Sequence, residues 1–205
     1  MNQASSSPYQ RTVNDRSAWA KAWLRLAEED LRRDEVFGAF FHAYVALVAA
    51  STNIVANYKS QVKRIRRLGS EDSLEREAIK FAMVTSERGI AKFLESDEGT
   101  KIKLRLWQRE LPNESKTRIY GVAHNPEIAQ SVKGLGNLWS PLSSGALGEK
   151  QSREQAEALS EIFRMTRNLL FHGEKDNDPN GNDAEYLRLV VPLLIGVVES
   201  VLSSH

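Results

Sequence analysis

The stretch Ser152-Arg-Glu-Gln-Ala-Glu-Ala-Leu-Ser-Glu-Ile-Phe-Arg-Met-Thr-Arg-Asn-Leu-Leu-Phe-His-Gly173 reads as a helix from cap to stop. Ser152 and Gln155 are spaced as a capping box. Ala156, Leu159, Ile162 or Phe163, Thr166, Leu169 and Leu170 then recur at helical spacing and give one apolar side. Gly173 supplies the residue type that ends helices. A helix with one apolar side has to bury it against others, so the neighbouring segments decide the class.

Those segments have the same period. Asp15 or Ser17 can cap a helix running to about Arg33, with Trp19, Trp23 or Leu24, Leu26, Ala27 and Leu31 on its apolar side and Glu28-Glu29-Asp30 facing water. A longer central helix is predicted from Val36 to Leu68, ending near Gly69, and a third from Ser73 to about Glu95, where Gly89 weakens the middle or marks a junction. A final helix is expected after Asn182 or Asp183 toward Val201, kinked or restarted at Pro192. Between Asp97 and Gly148 the pattern breaks into a helical piece, Lys101 to Arg109, and several turns. The prediction is an all-α helical bundle with additional short helices between the third long helix and the one that ends at Gly173. Residues 1–14 are expected as a flexible tail, 15–205 as a single domain, and about 97–148 as an irregular insertion.

Composition narrows the chemistry. With 205 residues, 41% of them hydrophobic, the chain can bury one substantial core. It contains no cysteine, which excludes disulfides, thiolate catalysis and cysteine zinc sites. The most apolar run, Leu189 to Val198, has ten residues and contains Pro192 and Gly196. That is far short of the roughly 20 a membrane span needs, so a buried terminal helix, a cytoplasmic protein and no membrane partner are expected. A formal charge of +1, from 28 basic and 27 acidic residues, sets up no global field for nucleic acid.

The functional expectation therefore rests on a local group. Arg164, Asn168 and His172 lie at four-residue steps and share a helix face, with Arg167 within reach of His172. A free imidazole titrates near about 6.5 and can take a proton from a 2′-hydroxyl or give one to a departing 5′-oxygen. An arginine at 167 keeps its charge and can grip non-bridging phosphate oxygens. Asn168 can donate to the phosphate or orient the imidazole, and Arg164 can extend the grip. The scheme uses no cofactor and no metal. It asks one histidine for two proton transfers, and a second subunit could supply the other. The basic run Lys63, Arg64, Arg66 and Arg67, with Lys59, can attract RNA backbone, as can Lys101, Lys103, Arg105 and Arg109. His42 is assigned to packing, as are Trp19, Trp23, Trp107 and Trp139.

Arg167-Asn168-Leu-Leu-Phe-His172, followed by Gly173, resembles the signature of HEPN domains, the all-helical "higher eukaryotes and prokaryotes nucleotide-binding" superfamily. Phe40-Phe41-His-Ala-Tyr44-Val-Ala-Leu47 resembles the long early helices of that fold. The resemblance implies a homodimer whose paired motifs form a metal-independent endoribonuclease site, with Arg167, Asn168 and His172 as its catalytic group. It also implies a toxin, phage-defence or RNA-processing role and a nucleotidyltransferase antitoxin as a partner. The alternative is a noncatalytic helical adaptor that binds protein or nucleic acid.

Overall fold

A proline opens the first helix. In the computed structural model, which describes residues 8–58, 71–102, 149–171 and 182–204, α1 spans Pro8–Arg32. The helix thus begins ahead of the expected Asp15 or Ser17 cap, and residues 8–14, expected as tail, are helical. Proline suits a first helical position because an amide hydrogen has no partner there. The side α1 turns inward is Ala20, Leu24 and Ala27, with Leu31 packed at its edge. Trp19 and Leu26 stand out of it, 67% and 41% exposed, which corrects their assignment to packing. They fall on the opposite face because the small alanines let α2 approach closely along the Ala20–Ala27 line.

The chain reverses after α1 through a Schellman-type turn. Glu35 N–H donates to Asp30 O at 2.9 Å and Asp34 N–H to Leu31 O at 3.1 Å. Asp34 takes the left-handed conformation, φ 61, that glycine usually fills at this place. Its carboxylate is held by both arms of a guanidinium, Arg188 Nε at 2.8 Å and Arg188 Nη2 at 2.7 Å. The Arg188 hydrogen bond holds the Asp34 carboxyl below the usual carboxylate range. A carboxyl whose folded pKa is depressed adds stability above its unfolded pKa, about 3.9, and that contribution is lost as pH falls through the folded value. Asp34→Asn keeps a residue that accepts positive φ while removing the charge. Its melting temperature is expected to lie below that of the parent chain at pH 7 and to converge with it as pH falls through the folded value. Equal melting at neutral pH would show the pair to be thermodynamically idle.

From the turn, α2 (Val36–Asn57) runs antiparallel to α1. It ends short of the expected Gly69: Tyr58 is extended, at φ −111 and ψ 85, and its ring meets Phe81 edge-on at 5.3 Å. The apolar spacing through Val62 and Ile65 belongs to residues outside those described. The expected third helix is two helices, α3 (Glu71–Thr85) and α4 (Glu87–Glu95). Their junction is Ser86 rather than Gly89. Thr85 Oγ1 bonds back to Phe81 O and Ala82 O, both at 3.0 Å, and so competes with the helix ladder just there. Gly89 instead permits a close helix contact, since a Cβ on it would come within 3.0 Å of Ser204 Oγ.

A helical turn at 97–102 follows α4. Then α5 spans Glu149–Phe171 and α6 spans Asn182–Ser203. Ser152 and Gln155 do not cap α5. They lie inside it, buried on the same side as Ala156 and Leu159. In α6, Pro192 falls within one continuous helix, without the expected restart. Among the described residues there is no strand, and the chain is an all-α helical bundle.

The core forms where α2 and α6 meet the inner sides of α1, α4 and α5, around Phe40, Leu47, Leu159, Phe163, Tyr186 and Val190. Val36–Ala56 and Ala184–Ser203 are long and apolar enough to cross a membrane by length and composition, and 56% of each apolar window is buried inside the fold. This corrects the expectation based on the ten-residue run alone: the helix that carries that run extends in both directions. Helices at the centre of a bundle are apolar around most of their surface because they have neighbours on most sides.

Candidate functional site

The end of α5 is fixed from the core outward. Thr166 is 2% exposed; its Oγ1 donates to Ile162 O at 2.8 Å and lies 3.1 Å from the Tyr186 hydroxyl of α6. Ile162 and Phe163 are fully buried beside it. With residues 159, 162, 163 and 166 committed inward, the helical repeat turns Arg164, Arg167 and Asn168 to the other side, where all three are half-buried.

There the polar side chains are ordered by one another. Arg167 Nη1 donates to Asn168 Oδ1 at 2.9 Å, so the amide orients the guanidinium. Arg164 Nε donates to Glu161 Oε2 at 3.0 Å, while Arg76 Nε of α3 donates to Glu161 Oε1 at 2.7 Å. One carboxylate therefore serves two guanidiniums, an oxygen to each. Lys80 Nζ stands 3.5 Å from Glu157 Oε2. The pairs Arg76 with Glu161 and Lys80 with Glu157 step in opposite senses, so α3 and α5 are antiparallel.

A third helix reaches the same place. Tyr44 of α2, stacked on Phe40 with ring centres 6.1 Å apart, is 4% exposed, and its hydroxyl donates to Glu75 Oε1 of α3 at 2.7 Å. Burial pushes the phenol well above its ordinary pKa and the Glu75 carboxylate adds to this, whereas the charges of Arg167 and Arg164 act on it in the other direction. Tyr44, Glu75, Arg164 and Arg167 thus form one electrostatic neighbourhood built from three helices. Sequence reasoning missed Tyr44, Glu75 and Arg76. Tyr44 sits in an apolar run, and Glu75 and Arg76 sit in a charged one that reads as a wet face; only the pairing of α2 with α3 and of α3 with α5 brings them to Arg164.

His172 follows α5 directly in sequence and lies outside the described residues, as do Lys63, Arg64, Arg66 and Arg67. The structure thus brings together three of the expected site residues, Arg164, Arg167 and Asn168. His42 is held as a packed residue: its Nδ1 is 2.8 Å from Asp30 Oδ2 and its ring centre 5.2 Å from that of Trp23. Asp30 is accordingly turned inward, a correction to the water-facing reading of Glu28-Glu29-Asp30. Among the described residues no group of three or more histidine, aspartate or glutamate side chains is arranged to hold a metal ion.

No family model, curated protein or solved structure matches this chain. That corrects the classification drawn from resemblance, in which the chain stood as a nuclease and RNA-binding homodimer of toxin–antitoxin or antiviral-defence systems. Such labels pass from protein to protein by kinship, and here no kinship carries them. The toxin and defence roles are withdrawn. What is left for a functional argument is the chemistry of the residues themselves.

Proposed function

We propose that this chain is a HEPN-like helical protein that cleaves RNA without a metal, by attack of a 2′-hydroxyl on the adjacent phosphodiester. The observation that carries the reading is the ordered pair Arg167–Asn168, with Arg164 one turn earlier, on the last turns of a helix whose opposite side is buried and hydrogen-bonded to α6. Such a pair presents a fixed guanidinium to a non-bridging oxygen and stabilises the charge that grows there in the transition state. His172, next after Phe171 in sequence, supplies the proton transfers. The 2′-oxygen loses its proton and bonds to phosphorus, the bond from phosphorus to the 5′-oxygen breaks, and that oxygen takes up a proton. A 2′,3′-cyclic phosphate and a 5′-hydroxyl result. In this reading a second copy of the chain provides the second imidazole.

The test is incubation of the purified protein with mixed cellular RNA in EDTA beside His172→Ala, with end-group analysis of the fragments. Cleavage by the parent alone, leaving cyclic phosphate ends, is the expected result. Fragmentation that survives unchanged in His172→Ala would point to a contaminant or to another site. The exposed Trp19 and Leu26 of α1, and Phe41 of α2 at 40% exposure, favour a second reading as a noncatalytic adaptor. Intact RNA in every arm, with partner capture lost on Trp19→Ala, is its signature.

A further inference from the structure

The outer side of α1 carries a second apolar line, apart from the one that enters the core. Trp19, Ala22 and Leu26 are all exposed, and their spacing of three and four residues is that of a seam between two paired helices. Trp23 adjoins this line at the boundary with α2, where the exposed Phe41 ring meets it edge-on, with centres 6.4 Å apart. Ala20, Leu24 and Ala27, which commit α1 to the bundle, lie on the other side of the helix. Tryptophan is mostly buried in folded chains and is enriched where proteins meet. The two ends of the line differ in charge: Arg16 precedes Trp19, and Glu29 and Asp30 follow Leu26.

We propose that this line is where a second copy of the chain docks, α1 against α1 and antiparallel, about a twofold axis beside Ala22 and Trp23. A twofold contact requires a surface to fit itself, so that each residue meets a partner which meets it in return. Counted from a point between Ala22 and Trp23, Trp19 and Leu26 are equally far in opposite directions. Each therefore lies level with the other across the axis, and the small Ala22 at the centre lets the two backbones approach. The same count brings Arg16 level with Glu29 of the second copy and one residue from its Asp30, so opposite charges adjoin at both ends. A different protein would need neither relation. From Arg16 to Asp30 the line is about 20 Å long, which makes this a small contact of the reversible kind. The inference goes beyond the phosphodiester reading, which calls for a second copy and leaves its docking surface unassigned, and it holds or fails without RNA.

The experiment is sedimentation of the full-length protein over a concentration series, beside Trp19→Ala and Arg16→Glu, with circular dichroism to show that each is folded. The parent is expected to pass reversibly from monomer to dimer. Trp19→Ala is expected to weaken association at least about tenfold, as loss of a central interface tryptophan does. Arg16→Glu is expected to weaken it severalfold, because it sets like charges together at both ends. The chain has no cysteine, so a single introduced thiol reports its own twofold neighbour. Under mild oxidation Ala22→Cys is expected to give a disulfide-linked dimer, and Ala18→Cys, exposed on α1 but off the line, is expected not to. A parent that stays monomeric throughout, or that captures only a different protein, overturns the proposal. So does a dimer unaffected by Trp19→Ala, or one in which Arg16→Glu changes nothing or Ala18→Cys cross-links as readily as Ala22→Cys. Histidine-dependent RNA cleavage by such a chain leaves the phosphodiester reading standing and removes this surface alone; a dimer with the expected cross-link and no cleavage does the reverse.

Discussion

Replacing Arg167 with alanine is expected to reduce RNA cleavage by two to three orders of magnitude while leaving the fold intact. The loss is that of one pre-positioned donor at a developing oxyanion, worth about 3–4 kcal/mol in the barrier. The guanidinium is half-buried and oriented by Asn168, so little has to be reorganised when charge accumulates on the phosphate. Arg167→Lys restores the charge without the planar fork and is expected to recover a minor part of the rate. Arg164→Ala should cost much less, because the Arg164 guanidinium is already engaged by the Glu161 carboxylate that also serves Arg76. Single-turnover cleavage of a defined oligoribonucleotide, with circular dichroism as the check on folding, measures all three. A full rate in Arg167→Ala would remove the guanidinium from the mechanism.

The largest effect on stability is expected at Gly196. A Cβ placed there overlaps Cζ, Cε1 and Cε2 of Phe93, so the α4 ring lies directly on the backbone of α6. Gly196→Ala gains helix propensity, up to about 1 kcal/mol. It must nevertheless push an aromatic ring out of a close-packed contact, and overpacking of this kind costs about 1–3 kcal/mol. A net loss of about 1 kcal/mol in chemical denaturation is expected. The double variant Phe93→Ala with Gly196→Ala isolates the contact. Once the ring is gone, the second substitution should cost nothing or stabilise, giving a coupling energy of at least about 1 kcal/mol. Simple additivity of the two changes would mean that α4 does not pack on α6 in this way.

Much of the helical content was legible because burial in a bundle leaves a periodic trace. The side of α5 that holds Leu159, Ile162, Phe163 and Thr166 inward is the one its spacing announced. The failures share a cause: local signals were overridden by contacts between helices. Ser152 and Gln155 have the spacing of a cap and are buried within α5 instead. Trp19 has the hydrophobicity of a core residue and stands exposed, because the small Ala20 and Ala27 define where α2 approaches. Asp30 belongs to an acidic run and is drawn in by His42 across the hairpin. The site divides in the same way. Arg164, Arg167 and Asn168 share one stretch of one helix and could be grouped by counting residues. Tyr44, Glu75 and Arg76 come from elements whose pairing no local pattern specifies, and Glu75 in particular lies between Leu74 and Arg76 with nothing to separate it from an ordinary surface carboxylate.

The clasp between Asp34 and Arg188 joins positions 154 residues apart, whereas the turn that it secures is closed by hydrogen bonds only a few residues long. Loop-closure entropy places such events in sequence: the α1–α2 hairpin can form from local contacts, and the distant pair closes only after the intervening chain has been arranged. On a ribosome, which delivers the chain from its amino terminus, the hairpin emerges long before α6 exists. Until α6 arrives, the α2 surface it will cover faces solvent, and nascent chains halted before residue 188 should be held by chaperones that grip apolar helices.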